Sequence, residues 1–190
     1  MASQKRLQQL ALRLEKEDLS GADIIIGFDG FVDTVVYPVK KRYDSEHFDR
    51  VPTLKEYGET IASAAGLSLN MEMVPVDRKL GGNGPILANS LIELGADVVY
   101  IGALGKEGIM EPFKNLRDKG RAISFSDPGQ TDAVEFLDGK LISCKLNPLN
   151  DVNWENLKAV LSPEEMAGML DKSSGIARVN WSLVNHAQTI

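Results

Sequence analysis

Soft metal ligands are scarce in this sequence: among 190 residues there is one cysteine, Cys144, and there are two histidines, His47 and His186. A single cysteine makes no internal disulfide, which points to a reducing compartment. So few Cys and His side chains leave no set for a structural zinc site. Cys144 falls in a predicted strand without a His–Cys spacing around it that would suggest a nucleophile, and it reads as a small buried apolar residue. No run approaches the roughly 18 apolar residues of a membrane span, and the N-terminus does not have the pattern of a signal peptide. A basic stripe is missing too. The net charge is −6, and the only basic run, Lys40-Lys41-Arg42, reads as a solvated loop. Neither nucleic acid nor membrane is an expected partner, and the expected location is cytoplasmic.

What is present is ordinary globular material, 43% hydrophobic and 25% charged, enough for one domain with a real core. Leu7, Leu10, Ala11 and Leu14 at helical spacing predict an amphipathic helix over residues 3–19, set apart as an N-terminal extension (1–20) by Ser20-Gly21. Asp23-Ile-Ile-Ile-Gly-Phe-Asp-Gly is a β-branched run closed by glycine, as in a buried central strand of a parallel sheet. Residues 34–39 predict a second strand, which Pro38 would place at an edge. A helix is predicted over 53–65, with Thr53 and Glu56 as a capping box and Gly66 as its stop. Leu69, Met71 and Met73 alternate with polar residues, as in a half-wet strand.

After Gly81-Gly82-Asn83-Gly84-Pro85, Ile86, Leu87, Ser90, Leu91 and Leu94 recur at helical spacing before Gly95. Strands at 98–102 and 121–126 bracket a helix over 111–119. Residues 133–137 and 140–146 flank Asp138-Gly139, a favoured two-residue hairpin turn. Ser162-Pro163-Glu164-Glu165 separates helices over 153–161 and 163–171, with Ser162 as cap, Pro163 at the first position and Glu165 at the third. A strand over 175–181 and a helix opening at Ser182 complete the pattern. Strands alternating with helices predict an α/β fold with a parallel central sheet flanked by helices. The hairpin adds antiparallel strands as a flap or small second sheet.

Two segments are suited to binding. Glycines at 81, 82 and 84 let a ligand or another backbone approach closely, and the following helix turns its free N–H groups toward them. The segment is either a site for an oxygen-rich ligand or a tight strand-to-helix turn. It is neither a P-loop nor a dinucleotide fingerprint: Gly102 to Glu107 lacks the spacing and hydroxyl of the first, and Gly27-Phe-Asp-Gly30 lacks the pattern of the second. Asp29 and Asp33 lie at and just past the end of the first strand, where open parallel sheets collect ligands. A carboxylate there is able to accept hydrogen bonds from neighbouring sugar hydroxyls, or to bond its own backbone in a turn.

These residues carry a resemblance. Gly81-Gly82, then Ala88, six residues, Gly95, nine residues and Gly105 resemble the N-terminal signature of the ribokinase-like (pfkB-type) carbohydrate kinases, and Gly102-Ala-Leu-Gly105-Lys-Glu107-Gly108 resembles the glycine–acid turn that follows it. The resemblance implies a ribokinase-like fold with a small β lid near 34–41, 68–80 and 133–146, within a partial domain over 21–190 from which the C-terminal part of the fold is missing. It implies ATP- and Mg2+-dependent phosphorylation of a sugar or related hydroxyl compound by the full-length protein. Asp33, or Asp29 because one extra residue follows Gly27, would be the hydroxyl-binding carboxylate, and Gly81, Gly82 and Asn83 would line the pocket.

The departures are Ile86 where the family has asparagine, Glu107 where it has aspartate, and a longer stretch from Lys40 to Gly66. The family's Gly-Ala-Gly-Asp-like element with the general base, and its Asn-x-x-Glu element, do not occur in these residues. No catalytic residue is therefore expected in this chain, and the groups that bind ATP and Mg2+ are expected outside it. The other reading is a non-catalytic small-molecule-binding module derived from the kinase fold. Exposed strand edges make a homo-oligomer a further expectation.

Overall fold

Asp23-Ile-Ile-Ile-Gly-Phe has apolar side chains at successive positions, so a strand made from it has two apolar faces and must be covered on both. In the computed structural model, which describes residues 2–14, 19–186 and 190, this segment is β1 (Asp23–Phe28). Ile25 faces one core cluster and Ile26 the other. β5 (Asp97–Ala103), β6 (Arg121–Ser126) and β9 (Gly175–Arg178) complete a parallel sheet in the order β6-β5-β1-β9.

Helices cover both faces. On the Ile26 side, α3 (Asn83–Glu93) and α4 (Lys114–Lys119) supply Ala88 and Leu116. On the Ile25 side, α5 (Trp154–Val160) supplies Leu157, and α6 (Pro163–Leu170) supplies Met166 and Met169. Ser162 begins α6 with a complete capping box: its hydroxyl accepts the Glu165 N–H, and the Glu165 carboxylate accepts the Ser162 N–H. Gly95, at φ 89°, follows the C-cap residue Leu94 of α3 in the left-handed conformation expected of a helix stop.

A second sheet grows directly from β1. Two residues past it begins β2 (Phe31–Arg42), which pairs antiparallel with β4 (Met73–Gly81) and parallel with β7 (Gly129–Glu135). β8 (Lys140–Lys145) adds to β7, and the short β3 (Phe48–Arg50) continues beside the far end of β2. One face packs against α2 (Leu54–Ser63) through Val36, Val51, Val134 and Phe136, with Leu54 and Tyr57 from the helix. The other face is open toward the carboxyl ends of the parallel strands.

Several expectations need correction. β2 runs from Phe31 to Arg42 and is central in its sheet, so Pro38 is not on an edge strand. Pro38 lies two positions beyond Val36, the last residue paired with β7, and its ring therefore displaces no bond of that ladder. Lys40-Lys41-Arg42 is the extended end of β2, not a loop. The alternating residues from Leu69 lie ahead of the strand that begins at Met73, and Met71 packs under this second sheet, which stands where the lid was expected, beside Val36 and Tyr57 instead.

The hairpin reverses at Leu137-Asp138, one residue earlier than expected, with the Phe136 N–H donating to the Gly139 carbonyl. Contacts from the start of α2 and the residues just before it hold this register: the Leu137 N–H donates to the Pro52 carbonyl, and Asp138 Oδ1 accepts the Leu54 N–H at 2.9 Å. Cys144 lies on a strand as expected but is exposed, because β8 has a partner on one side only. Thr53 caps α2 through the Glu56 N–H, while the Glu56 carboxylate pairs with Lys40 at 2.6 Å rather than closing a capping box. The last strand stops at Arg178, and a single 3-10 turn, Trp181–Leu183, stands where a helix was expected. The first helix, α1 (Ala2–Leu14), covers most of its predicted span, and residues 15–18 of that prediction lie outside the described residues.

Candidate functional site

The two aspartates at the end of β1 have separate fates. Asp29 is fully buried. Its Oδ1 accepts the Gly84 N–H at 3.0 Å and its Oδ2 accepts Asn180 Nδ2 at 2.7 Å, while the Tyr100 hydroxyl donates to its carbonyl. Burial pushes the Asp29 carboxyl above its ordinary range, against the opposing pull of Asn180 and the Gly84 and Asn83 backbone. Burial also pushes the Tyr100 phenol well up, with the neighbouring Asp29 charge adding to it. Asp29 thus ties the end of β1 to the start of α3 and to the segment after β9. It is not among the residues lining the adjacent cavity.

Asp33 is the carboxylate that does line it. The cavity, of about 280 Å³, lies between the open face of the lid sheet and the carboxyl end of the parallel sheet. Asp33, Val35, Thr131, Ala133, Ile142 and Cys144 come from the lid face, Gly82 and Asn83 from the start of α3, and Asn180 and Leu183 from beyond β9. Asp33 is half-buried, and its carboxylate takes part in no hydrogen bond or ion pair among the described residues. In a protein interior, polar groups are almost always satisfied. A half-buried carboxylate facing an open cavity without a protein partner is suited to accept hydrogen bonds from a ligand.

The glycines of this segment serve the two carboxylates. A Cβ at Gly81 would come within 2.5 Å of both Asp33 carboxylate oxygens. Gly82 sits at φ 92°, and a Cβ there would come within 2.6 Å of Asp29 Oδ2. The glycine-rich run is therefore both of the things its sequence allowed, a tight strand-to-helix turn and a cavity wall. Of the residues singled out by sequence, Asp33, Gly82 and Asn83 line the cavity together, Gly81 lies beneath Asp33, and Asp29 lies behind the wall. Ile86, at the family's asparagine position, is 52% exposed and not on the cavity.

Lys79, Thr131, Lys140 and Asn180 escaped sequence reasoning. Asn180 has the left-handed conformation (φ 57°, ψ 27°), which asparagine tolerates better than most residues, and it lies in a stretch that read as strand. The other three sit on strands whose face and register only pairing reveals. For Mg2+, the described residues offer no group of three or more carboxylate, His or Cys side chains able to hold a metal ion. They build no all-protein cage for Mg2+, an ion that commonly takes one or two carboxylates together with substrate phosphates. Among the described residues no helix is long and apolar enough to cross a membrane.

Comparison with known proteins agrees with this architecture. A ketohexokinase from Haloferax volcanii is 29% identical over 168 residues, 87% of this chain and 44% of that protein. A carbohydrate kinase from Agrobacterium tumefaciens superposes with a TM-score of 0.52 at 14% identity, covering 83% of this chain and 45% of its own. For an Arabidopsis thaliana ribokinase solved with ribose and ATP the TM-score is 0.47 at 11% identity, with 90% and 52% covered. The chain spans somewhat under half the length of the first two relatives, and its fold is ribokinase-like. The prokaryotic ketohexokinase family matches residues 4–187, and the chain belongs to that family.

Proposed function

We propose that this chain binds a ketohexose, or a closely related sugar, in the cavity between lid and parallel sheet, as the substrate-binding part of a cytoplasmic, ATP-dependent sugar kinase. The observation that carries the reading is Asp33, an unpartnered carboxylate on a cavity whose wall is the Gly82-Asn83 turn. Family membership and the ketohexokinase relative support the sugar class. The lining itself suits a sugar. Asp33, Asn83, Thr131 and Asn180 offer polar contacts, while Phe31, Val35, Ala133 and Ile142 provide an apolar surface for C–H groups.

The chemistry of this chain is then binding and orientation. A carboxylate accepting from two neighbouring hydroxyls fixes a sugar more firmly than a neutral acceptor does. The lid and the Gly82 turn hold it from opposite sides, so that its remaining hydroxyl meets a phosphoryl donor in one geometry. The general base and the groups that stabilise transferring phosphate do not come from these residues. The chain by itself is expected to bind sugar without turning over ATP.

Isothermal titration calorimetry with D-fructose tests the proposal. The wild-type chain is expected to bind, and Asp33→Asn to weaken binding roughly 10- to 100-fold, the range for a hydrogen bond to a charged group. A wild-type chain that is folded by circular dichroism but binds neither fructose nor another hexose would sink the reading. Measurable ADP release on adding ATP and fructose would show that the chain carries catalytic groups of its own.

A further inference from the structure

Neighbouring residues on paired strands project to the same face of a sheet. Asp33 on β2 pairs with Lys79 on β4 and with Thr131 on β7. All three line the cavity, so Lys79, Asp33 and Thr131 form one row across its lid wall.

The condition of each member is informative. Thr131 is only 5% exposed, yet its hydroxyl makes no hydrogen bond among the described residues and opens onto the cavity. Lys79 has no carboxylate within ion-pair distance among the described residues, although the Asp33 strand position is directly beside it, and its charge reaches Glu135 only from farther off. By contrast, Lys140 and Lys145 on the same sheet pair with Glu135 at 2.9 Å and with Asp132 at 2.6 Å. A cation, an anion and a buried hydroxyl thus stand side by side, and none is satisfied by another.

We infer that Lys79 and Thr131 are specificity residues that read the two sugar hydroxyls on either side of Asp33. Each of two adjacent hydroxyls donates to one Asp33 oxygen. One accepts from the Lys79 ammonium and the other from the Thr131 hydroxyl, so each is held as donor and acceptor at once. Strands lie about 4.8 Å apart, which leaves room for a hydroxyl between flanking side chains. The ligand class is a vicinal diol in which both hydroxyls are free. A sugar lacking one of them, or carrying it methylated, leaves polar groups of the cavity wall without a partner and binds more weakly. This assignment rests on the sugar-binding reading above.

Calorimetry on the 190-residue chain tests it with D-fructose, its monodeoxy analogues, and the variants Thr131→Val, Thr131→Ser and Lys79→Met. Thr131→Val keeps the side-chain shape and removes only the hydroxyl. It is expected to weaken fructose binding roughly 3- to 10-fold, with Thr131→Ser restoring it, and Lys79→Met is expected to weaken it about 10-fold or more. Each variant should lose its effect against the one deoxy sugar that lacks its own hydroxyl. Folding of each variant is followed by thermal melting, and Lys79→Met, at an exposed position, is decisive if Thr131→Val does not fold. Wild-type binding that neither residue's removal weakens by more than twofold overturns this inference and leaves the sugar reading intact. No binding by folded wild-type chain overturns both.

Discussion

Asp29 and Asp33 are separated by three residues and share one side chain, yet one is a structural tie and the other a free acceptor. The difference lies in what each meets: Asp29 is enclosed by Gly84, Asn180 and Tyr100, and Asp33 faces the cavity. Asp29→Ala is expected to orphan two donors, at about 1–3 kcal/mol each if they stay buried, as a lower midpoint in urea unfolding. Titration gives a second readout. The folded-state pKa of Asp29 lies above its ordinary 3.8, so the native state holds the proton longer than the unfolded chain does. Above that ordinary value the unfolded state ionises first, and this residue's contribution to stability falls as pH rises until the folded carboxyl has ionised too. The stability difference between wild type and Asp29→Asn, followed from about pH 4 to pH 7 by urea unfolding, should therefore move against the wild type with rising pH. A difference independent of pH would contradict the assigned shift.

Among the elements, α2 decides how the lid is held. Leu54 at its start and Pro52 just before it bond the hairpin at Asp138 and Leu137, and the Tyr57 and Phe136 rings meet at 5.1 Å. The lid sheet thus has a clamp on its outer face, opposite the cavity. Asp138→Ala is expected to cost about 0.5–1.5 kcal/mol locally, seen as faster amide exchange across the hairpin and β8 with β1 and β5 unchanged. Equal acceleration throughout the chain would mean that the clamp belongs to the global fold instead. The α6 capping box gives an independent comparison: Ser162→Ala should lower global stability by about 1 kcal/mol in urea unfolding without altering sugar affinity.

At the scale of the molecule, β8 and β9 each end a sheet among the described residues. β8 is exposed along its whole length, and β9 ends the parallel sheet with Ile176 64% exposed and Trp181 nearby 65% exposed. Unpaired edges beside apolar side chains favour association. The average mass in light scattering is expected to rise with protein concentration, and Ile176→Lys to reduce that rise. A constant monomer mass over the same range would refute the expectation.

The sequence by itself determined the class of fold, the central strand and the Gly81–Gly84 turn, because each is written locally: a doubly apolar run, a helix period, a capping box, glycines before a helix. It also grouped Asp29, Asp33, Gly81, Gly82 and Asn83 as candidates for one pocket, through their likeness to a known signature, without telling which of the two aspartates faces it. Only the tertiary structure decided that Asp29 is a tie, that Pro38 lies mid-sheet and that Cys144 is exposed. It alone brought Lys79, Thr131 and Asn180 to the cavity. Those outcomes depend on register and on which face of a sheet is covered, and a strand's own residues do not specify its neighbours when a one-residue slip reverses every face. The lid row consists of three residues from three strands, distant along the chain and adjacent only once the ladders form.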